Sequence, residues 1–283
     1  MVGSTGRLRI GTRELVLGRR TYVMAVVNVS PDSFSGDGIS DVGQAVERGR
    51  QAEAEGADLL DLGGESTRPE TWGRPPLPVE AELARVVPVV ERLRDAVAIP
   101  ISIDTSKAVA ARTALGAGAA MVNDVTGLKG DPDMADVVAA AVVPVVIMHN
   151  QPLQPGSDLI AAIVRGLEQS LEIARRAGIR EDRIIVDPGI GFHKNPSQNL
   201  ELVRRLHELE RLGLPLLVGP SRKSFIGTAL GLPVEERLEG TAAVVALAVA
   251  AGVDLVRVHD VRAMVRVARM ADAVVRPGRQ NRP

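Results

Sequence analysis

The chain has 283 residues, of which 45% are hydrophobic and 24% charged, and these values are typical of a folded globular protein rather than a disordered one. Its 34 basic and 35 acidic residues nearly cancel, so no overall charge attracts the chain to nucleic acid or to an anionic membrane. There is no cysteine, which excludes disulfides and thiolate metal sites and fits a reducing compartment.

The N-terminal segment is polar, contains arginines and lacks the apolar core of a signal peptide. Within it, residues 7–10 and 14–17 flank Gly11-Thr12, a pattern that predicts a small β-hairpin able to plug the bottom of a barrel. Later apolar runs, such as residues 137–148, are too short to span a bilayer. We therefore expect a cytoplasmic protein without a membrane partner.

Short runs of β-branched residues then recur along the chain, with helix-compatible stretches between them, which is the pattern of repeated βα units around a parallel sheet. The predicted strands cover residues 22–28, 58–62, 99–104, 120–123, 143–148, 184–186, 216–218 and 255–258. Their continuous apolar character is typical of strands buried on both faces. Eight such units without a second-domain signal predict an α/β fold, a single (β/α)8 TIM barrel over residues 21–276. Residues 1–20 form the hairpin lead-in, and residues 277–283 a frayed tail.

Most of the predicted strands end in polar, glycine or proline residues, and in a barrel these ends open on the one face where active sites of this fold lie. Asp104, Asn123 and Asp187 stand at three such ends. Side chains of these types either face a shared pocket or cap the helices that follow, and the sequence alone leaves both interpretations open. For one such residue the two roles are about equally common, whereas three together favour the pocket.

Two rarer residue types also fall in the segments that follow strands. The three phenylalanines lie at positions 34, 192 and 225, where flat apolar walls suit a planar ring, although Phe225 fits the core better. An aromatic content of only 2% argues against platforms for single-stranded nucleic acid. The four lysines lie at positions 107, 129, 194 and 223. Base composition explains the general preference for arginine, but these positions indicate that some of them need a compact ammonium group.

A series of short segments, in order from about Tyr22 to about Ala273, resembles the dihydropteroate synthase family. The matching segments are residues 28–34, 63–69, 102–105, 123–124, 148–149, 187–192, 221–227, 240–241 and 257–261. The resemblance implies the condensation of 6-hydroxymethyl-7,8-dihydropterin pyrophosphate with p-aminobenzoate, which gives 7,8-dihydropteroate and pyrophosphate in folate synthesis. It also implies Mg²⁺ as a cofactor, and a homodimer.

By this resemblance, five residues bind the pterin. Asp187 accepts two N–H groups of the pyrimidine edge, a charge-assisted bidentate pair, while Asn123 offers its amide and Asp104 meets another part of the ring system. Lys223 donates to ring acceptors, unless it is a solvated residue at a helix start. Arg257 lies flat against the ring, where a planar, weakly hydrated cation stacks better than lysine would.

The resemblance also assigns residues to the pyrophosphate. Arg68 and His259 supply positive charge, and the carboxamide of Asn28 is a Mg²⁺ ligand beside the leaving group, since Mg²⁺ often takes one or two protein ligands and completes its shell with phosphate and water. Thr67 donates to phosphate oxygens or forms a turn. Alone, His259 fits a packed strand end, but Arg257 two residues earlier points to the same face by strand alternation.

For the p-aminobenzoate, the resemblance implies an apolar slot formed by Phe34, Phe192 and Pro69. Ser221 and the N–H groups of the helix start after the seventh strand receive its carboxylate. Met148 is a further substrate contact in the matching segments.

The mechanistic hypothesis is that pyrophosphate departs with the help of Mg²⁺ before the arylamine attacks, so that no strong general base is required. Two alternatives are open. One is a methyltetrahydrofolate-dependent methyltransferase on the same barrel, which would not need the segments around Phe34, Arg68 and Lys223. The other is a non-catalytic pterin-binding paralogue, because residues 33–38 and Asn150-Gln151 depart from the family pattern.

Overall fold

The computed structural model describes residues 6–29, 41–65, 75–154 and 156–276. It begins with an antiparallel hairpin of β1 (Gly6–Ile10) and β2 (Arg13–Leu17). Gly11 turns the chain with a φ of 58°, a left-handed conformation that glycine adopts without a steric penalty. Inward-facing residues of both strands are apolar, so the hairpin has one buried face.

Eight parallel strands follow the hairpin. They are β3 (Tyr22–Asn28), β4 (Leu59–Gly63), β5 (Ile101–Asp104), β6 (Met121–Asp124), β7 (Val145–Met148), β8 (Ile184–Asp187), β9 (Leu217–Val218) and β10 (Leu255–Val258). Strands β3 to β8 pair in chain order, and β10 pairs with both β3 and β9. A single parallel bridge between Val186 and Leu216 joins β8 to β9. The sheet is therefore a nearly closed barrel, and its shortest strand, β9, borders the weakest seam.

Helices in the described residues cover the outside of the barrel. They are α1 (Val42–Ala54), α2 (Val79–Ala96), α3 (Ala108–Ala117), α4 (Met134–Ala141), α5 (Leu159–Arg176), α6 (Pro196–Arg204), α7 (Ser224–Leu230), α8 (Leu238–Ala250) and α9 (Val261–Val275). The start of α6 is a capping box in which Asn195 and Gln198 satisfy each other's backbone N–H groups. Within the described residues, no helix combines the length and the hydrophobicity needed to cross a membrane.

The core has two apolar layers. One lies between the barrel and its surrounding helices. The other fills the lower end of the barrel, where side chains of the hairpin pack on inward-facing side chains of the strands. Its members are Leu8, Ile10, Leu15, Leu17, Tyr22, Met24, Leu59, Met121, Val146, Ile185, Leu217 and Leu255. Full burial of one such side chain contributes about 1.5–3 kcal/mol, so the hairpin stabilises the barrel as a plug.

Charged groups at this lower end are paired. The guanidinium of Arg20 donates to both carboxylate oxygens of Asp58 at 2.8 and 2.5 Å, and Asp58 also accepts the backbone N–H of Val23 at 2.9 Å. Asp272 on α9 accepts from the backbone of Thr21 at 2.7 Å and from Arg276 at 2.6 Å. These bonds tie the start of β3 to the last helix, which closes the barrel from below.

The predicted fold class is confirmed, and the observed strands differ from the predicted ones mainly at their first residues. Residues 99 and 143, for example, precede the ladders of β5 and β7. Ile99 is nevertheless buried, because apolar side chains enter the core before the strand hydrogen bonds begin. The division into lead-in, barrel and tail stays a prediction, and residues 277–283 lie outside the described residues.

Candidate active site

The upper end of the barrel gathers polar side chains from most of its strands. Asp104 ends β5 and pairs in register with Asn123 of β6, and Met148 ends β7 opposite Asp187 of β8. Arg257 comes from β10. Parallel strands end on the same side of a sheet, so residues distant in sequence meet there. All five were predicted from the sequence as candidate site residues.

A buried ion-pair network joins four strands across this end. Arg257 donates through Nε to Asp61 Oδ2 at 2.6 Å and through its terminal nitrogen to Asp104 Oδ2 at 2.7 Å. The Asn123 amide nitrogen donates to the same Asp61 oxygen at 2.9 Å. Asp61 is fully buried, and burial of a carboxylate is tolerated only when it is paired and hydrogen-bonded. The guanidinium of Arg257 is thereby fixed in one orientation.

This network is not saturated. Asp61 Oδ1 and Asp104 Oδ1 are buried without a hydrogen-bond partner among the described residues. Burial raises the pKa of Asp104 to about 7, with Arg257 opposing the shift and the carboxylates of Asp61 and Glu82 adding to it. Burial also lowers the pKa of Arg257, but Asp61 and Asp104 more than offset this effect, so its pKa is raised overall. A ligand that donates hydrogen bonds would satisfy these oxygens, each of which costs about 1–3 kcal/mol when left unpaired.

Asp187 lies beside this network, at the start of the loop that leads to α6. Its Oδ1 accepts the backbone N–H of Gly189 at 2.7 Å, and its backbone carbonyl accepts that of His149 at 2.8 Å. Burial raises the pKa of Asp187 to about 6, while the Gly189 N–H and the nearby cations of Lys223, Lys194 and Arg257 oppose the shift. Near neutral pH this carboxylate is therefore ionised and able to accept N–H donors.

The wall of this end is partly apolar. Met148, Phe192 and Val125 form a small buried cluster separate from the two core layers. The ammonium of Lys223 lies 4.2 Å from the centre of the Phe192 ring, a cation–π contact. Phe225 is buried in the main core, as the sequence indicated. This wall therefore offers a flat apolar surface with a cation beside it.

A second group of polar residues lies at the ends of β3, β9 and β10. The Ser221 hydroxyl contacts His259 Nδ1 at 2.9 Å and accepts the backbone N–H of His259 at 3.2 Å. Asn28 and His259 line the same cavity of about 630 Å³, together with Arg222. Arg222 forms a bidentate ion pair with Asp260, at 3.0 and 2.6 Å. Basic and acidic side chains, among them Arg48 and Glu55, line this cavity together.

Four predicted substrate contacts, Phe34, Thr67, Arg68 and Pro69, lie outside the described residues. The helix-capping alternative is wrong for Asp104, Asn123 and Asp187. The N-cap residues of the next helices are Lys107, Asp133 and Asn195, and none of the three predicted side chains caps them.

Three residues that the structure places here were not predicted as site residues from the sequence, namely Asp61, His149 and Lys194. For Asp61 a signal existed, since an acid inside the apolar run of β4 is seldom buried without a partner. Lys194 stood out only as one of four lysines. Its contacts depend on a loop that folds back on itself.

Comparison with known proteins identifies the family of this chain. The family of pterin binding enzymes matches residues 24–259. A dihydropteroate synthase of Clostridium beijerinckii is 45% identical over 271 residues, which are 95% of this chain and 100% of the relative. Among solved structures, the dihydropteroate synthase of Clostridium difficile, determined in the presence of pteroic acid, has a TM-score of 0.86 at 45% identity and covers 92% of this chain and 98% of its own.

The dihydropteroate synthase of Xanthomonas albilineans, solved with 4-aminobenzoic acid, has a TM-score of 0.86 at 43% identity, over 99% of this chain and all of the other. Both the extent and the identity of these matches exceed what a shared barrel alone produces. This chain therefore belongs to the pterin-binding enzyme family, among the dihydropteroate synthases.

Proposed function

We propose that this protein condenses 6-hydroxymethyl-7,8-dihydropterin pyrophosphate with p-aminobenzoate to form 7,8-dihydropteroate and pyrophosphate, a transferase reaction of folate synthesis. The observation that carries the proposal is the set of buried acceptors at the barrel end. The carboxylates of Asp61, Asp104 and Asp187 face one region, and two of their oxygens lack partners among the described residues. One solved relative was determined in the presence of pteroic acid, which contains both the pterin and the aminobenzoate, and another with 4-aminobenzoic acid, the second substrate of this reaction.

The pterin is proposed to lie with its N–H edge against Asp187 and Asn123. Two parallel hydrogen bonds to an ionised carboxylate are short, strong and selective for a planar donor edge. Asp104 would meet another part of the ring system, and Arg257, fixed by its two carboxylates, would lie against the ring face. Lys223, which already lies over Phe192, would donate to ring acceptors.

The p-aminobenzoate is proposed to pack against Phe192, beside Phe34 and Pro69. Met148 extends the same apolar wall. Ser221 is assigned to the carboxylate, and its contact with His259 holds the hydroxyl in place.

The pyrophosphate is assigned to the side of Asn28 and His259, with Arg68 and Thr67 as further donors. The donor chemistry there fits Mg²⁺, because Asn28 offers one hard carboxamide oxygen and substrate phosphates commonly supply others. In the described part of the chain no cluster of three acidic or histidine side chains could hold a metal alone. When bound, Mg²⁺ would neutralise charge on the leaving group.

In the proposed reaction the C–O bond to pyrophosphate breaks first, and the positive charge spreads over the dihydropterin ring. The amine nitrogen of p-aminobenzoate then forms the new C–N bond and releases a proton to solvent. The carboxylates near the ring stabilise the cation electrostatically. The protein contributes mainly orientation and charge, so a strong general base beside the amine is not required.

Two further features are proposed. A homodimer through the last helices is supported by exposed apolar side chains on α8 and α9, where Leu247, Met270 and Val274 are 56, 66 and 67% exposed. Light scattering would measure its mass. A cytoplasmic location is supported by the lack of cysteine.

A coupled pyrophosphate-release assay tests the function. Release should require both the pterin pyrophosphate and p-aminobenzoate, with dihydropteroate formed in equal amount. A non-catalytic paralogue would bind the pterin and release no pyrophosphate, and the activity of a methyltransferase would not depend on p-aminobenzoate.

A further inference from the structure

The loop between β8 and α6 is held from below by one of its own side chains. The ammonium of Lys194 donates to the carbonyls of Gly189 at 2.9 Å and Phe192 at 3.0 Å, and lies 3.3 Å from His149 Nδ1. Both Lys194 and His149 are buried. Three acceptors match the three protons of an ammonium group, so this buried cation is fully satisfied by geometry.

His149 joins the loop to the neighbouring strand. Burial and the cations of Lys194 and Lys129 lower the pKa of His149 to about 3, so its ring is neutral and Nδ1 is able to accept a hydrogen bond. Its backbone N–H donates to the carbonyl of Asp187 at 2.8 Å. At Gly189, where φ is +71°, a Cβ atom would collide with the carbonyl oxygen of His149. The loop therefore lies directly against this residue.

The contacts of Lys194 do not depend on a single protonation state. Burial lowers the pKa of Lys194 to about 7, with Asp187 opposing the shift and Lys223 adding to it. A neutral amine keeps two N–H donors for the two carbonyls, and its lone pair accepts a hydrogen bond from Nδ1–H in the other tautomer of His149. The same three contacts thus persist on both sides of neutral pH.

The residues held in this way are those that face the substrates. The N–H of Gly189 donates to the Asp187 carboxylate, and its carbonyl accepts from both Lys194 and the backbone N–H of Phe192. The Phe192 carbonyl accepts a hydrogen bond from Lys194, and the Phe192 ring contacts the ammonium of Lys223. Asn199 of α6 secures the other side, accepting from Gly191 at 2.6 Å and donating to the Lys194 carbonyl at 2.9 Å.

We propose that Lys194, with His149 as its partner, is a positioning residue that holds Asp187 and Phe192 in the arrangement that binds the pterin and the p-aminobenzoate. This inference rests on the proposed function for the identity of the two ligands. Lys194 is buried and its ammonium donates to carbonyls of its own loop, so it acts through the residues it holds. Its loss should weaken the binding of both substrates while the chemical step is largely kept.

The test compares Lys194→Met, which keeps the length of the side chain but removes its donors, with Lys129→Met. Lys129 donates to the Gly166 carbonyl at 2.7 Å and makes no hydrogen bond to this loop. Lys194→Met should raise the KM of both substrates about tenfold, the effect of one lost charge-assisted hydrogen bond. We expect kcat to stay within about threefold, because the transition-state contacts themselves remain. Lys129→Met should behave as wild type.

A KM in Lys194→Met equal to that of Lys129→Met for both substrates would overturn the proposal. Should Lys194→Met fail to fold, His149 gives a second pair of variants. His149→Leu removes the partner and should raise both KM values, whereas His149→Asn places a carboxamide near Nδ1 and should recover most of the loss. Equal KM values in these two variants would also refute the role.

The proposed function and this inference fail in different ways. Wild-type protein that releases no pyrophosphate contradicts the function. Calorimetric titration of a pterin into wild type and the same variants would then still report whether Lys194 positions Asp187.

Discussion

The two ends of the barrel are built on opposite principles. At the lower end, the hairpin fills the barrel with leucine and isoleucine side chains, and the carboxylates of Asp58 and Asp272 are hydrogen-bonded by partners within the chain. At the upper end, three buried acids share few donors, and two carboxylate oxygens have no partner in the described residues. The hydrogen bonds of Asp58 and Asp272 at the lower end stabilise the fold, whereas Asp61 and Asp104 at the upper end keep acceptor oxygens for a ligand.

This difference explains why burial raises the pKa of Asp104 and of Asp187, and why a flat, donor-rich ligand suits the upper end. Burying such groups costs free energy, and the plugged lower end supplies stability that offsets this cost. Substitutions at the two ends should therefore separate cleanly. Changes below should affect the free energy of unfolding, and changes above should affect ligand affinity.

The largest effect is expected from Leu15→Ala in the plug. Leu15 is 2% exposed, and truncation of a buried leucine leaves a cavity that lowers the free energy of unfolding by about 2–5 kcal/mol. Urea unfolding measures the loss, and the KM values should not change. Leu200→Ala, at a position 49% exposed, is the control with little effect. An equal loss of substrate affinity in Leu15→Ala would break the proposed separation.

At the other end, Asp187→Asn should weaken pterin binding about 100-fold, because a charge-assisted bidentate pair is lost. Calorimetry with a pterin measures the affinity, and the unfolding midpoint should stay close to that of wild type. Asp182→Asn, on the exposed segment before β8, serves as a control for the loss of one negative charge. Full affinity in Asp187→Asn would refute its assignment.

A comparison within one part of the chain sharpens the contrast. Asp58 precedes β4 at the lower end, and Asp61 lies inside β4 at the upper end. Asp61→Asn loosens Arg257 and should weaken pterin binding about tenfold. Asp58→Asn should instead lower the free energy of unfolding by about 1–3 kcal/mol with unchanged affinity. The same outcome for both variants would contradict the contrast between the ends.

The smallest predicted effect comes from pH. The pKa of Asp187 is raised to about 6 by burial, so the carboxylate is ionised above that pH and becomes protonated as the pH falls through it. Since the ionised form accepts the pterin N–H groups, affinity should be near its full value one unit above this pKa, about half of it at pH 6 and about tenfold lower by pH 5. The raised pKa of Asp104 acts in the same direction. Asp187→Asn should lose the part of this dependence that is centred near pH 6, which separates the titration of Asp187 from titration of the ligand.

Much of the fold follows from local sequence. Apolar runs such as residues 22–28 are long enough to be read as buried strands, and Gly11 between two short runs predicts the hairpin. The barrel rule then places Asp104, Asn123 and Asp187 at one end without any knowledge of their contacts. The sequence alone therefore predicts the end of the barrel at which a side chain lies, because its position in a strand determines this.

The contacts themselves were beyond local signals. Arg257 reaches Asp61 across 196 positions of sequence, and only the closed barrel makes them neighbours. Lys194 donates to the carbonyls of Gly189 and Phe192. These contacts form because positive φ angles at Gly189, Gly191 and His193 fold the loop back on itself. Such pairings depend on tertiary geometry, so residue type and spacing alone predict a need for partners but not which partners.

A crystal structure of the protein with a bound pterin tests the central claim most directly. The ring should lie at the upper end of the barrel, with its N–H edge within hydrogen-bond distance of Asp187 and Asn123 and its face against Arg257. A pterin bound elsewhere, or a ring edge turned away from these side chains, would contradict the account.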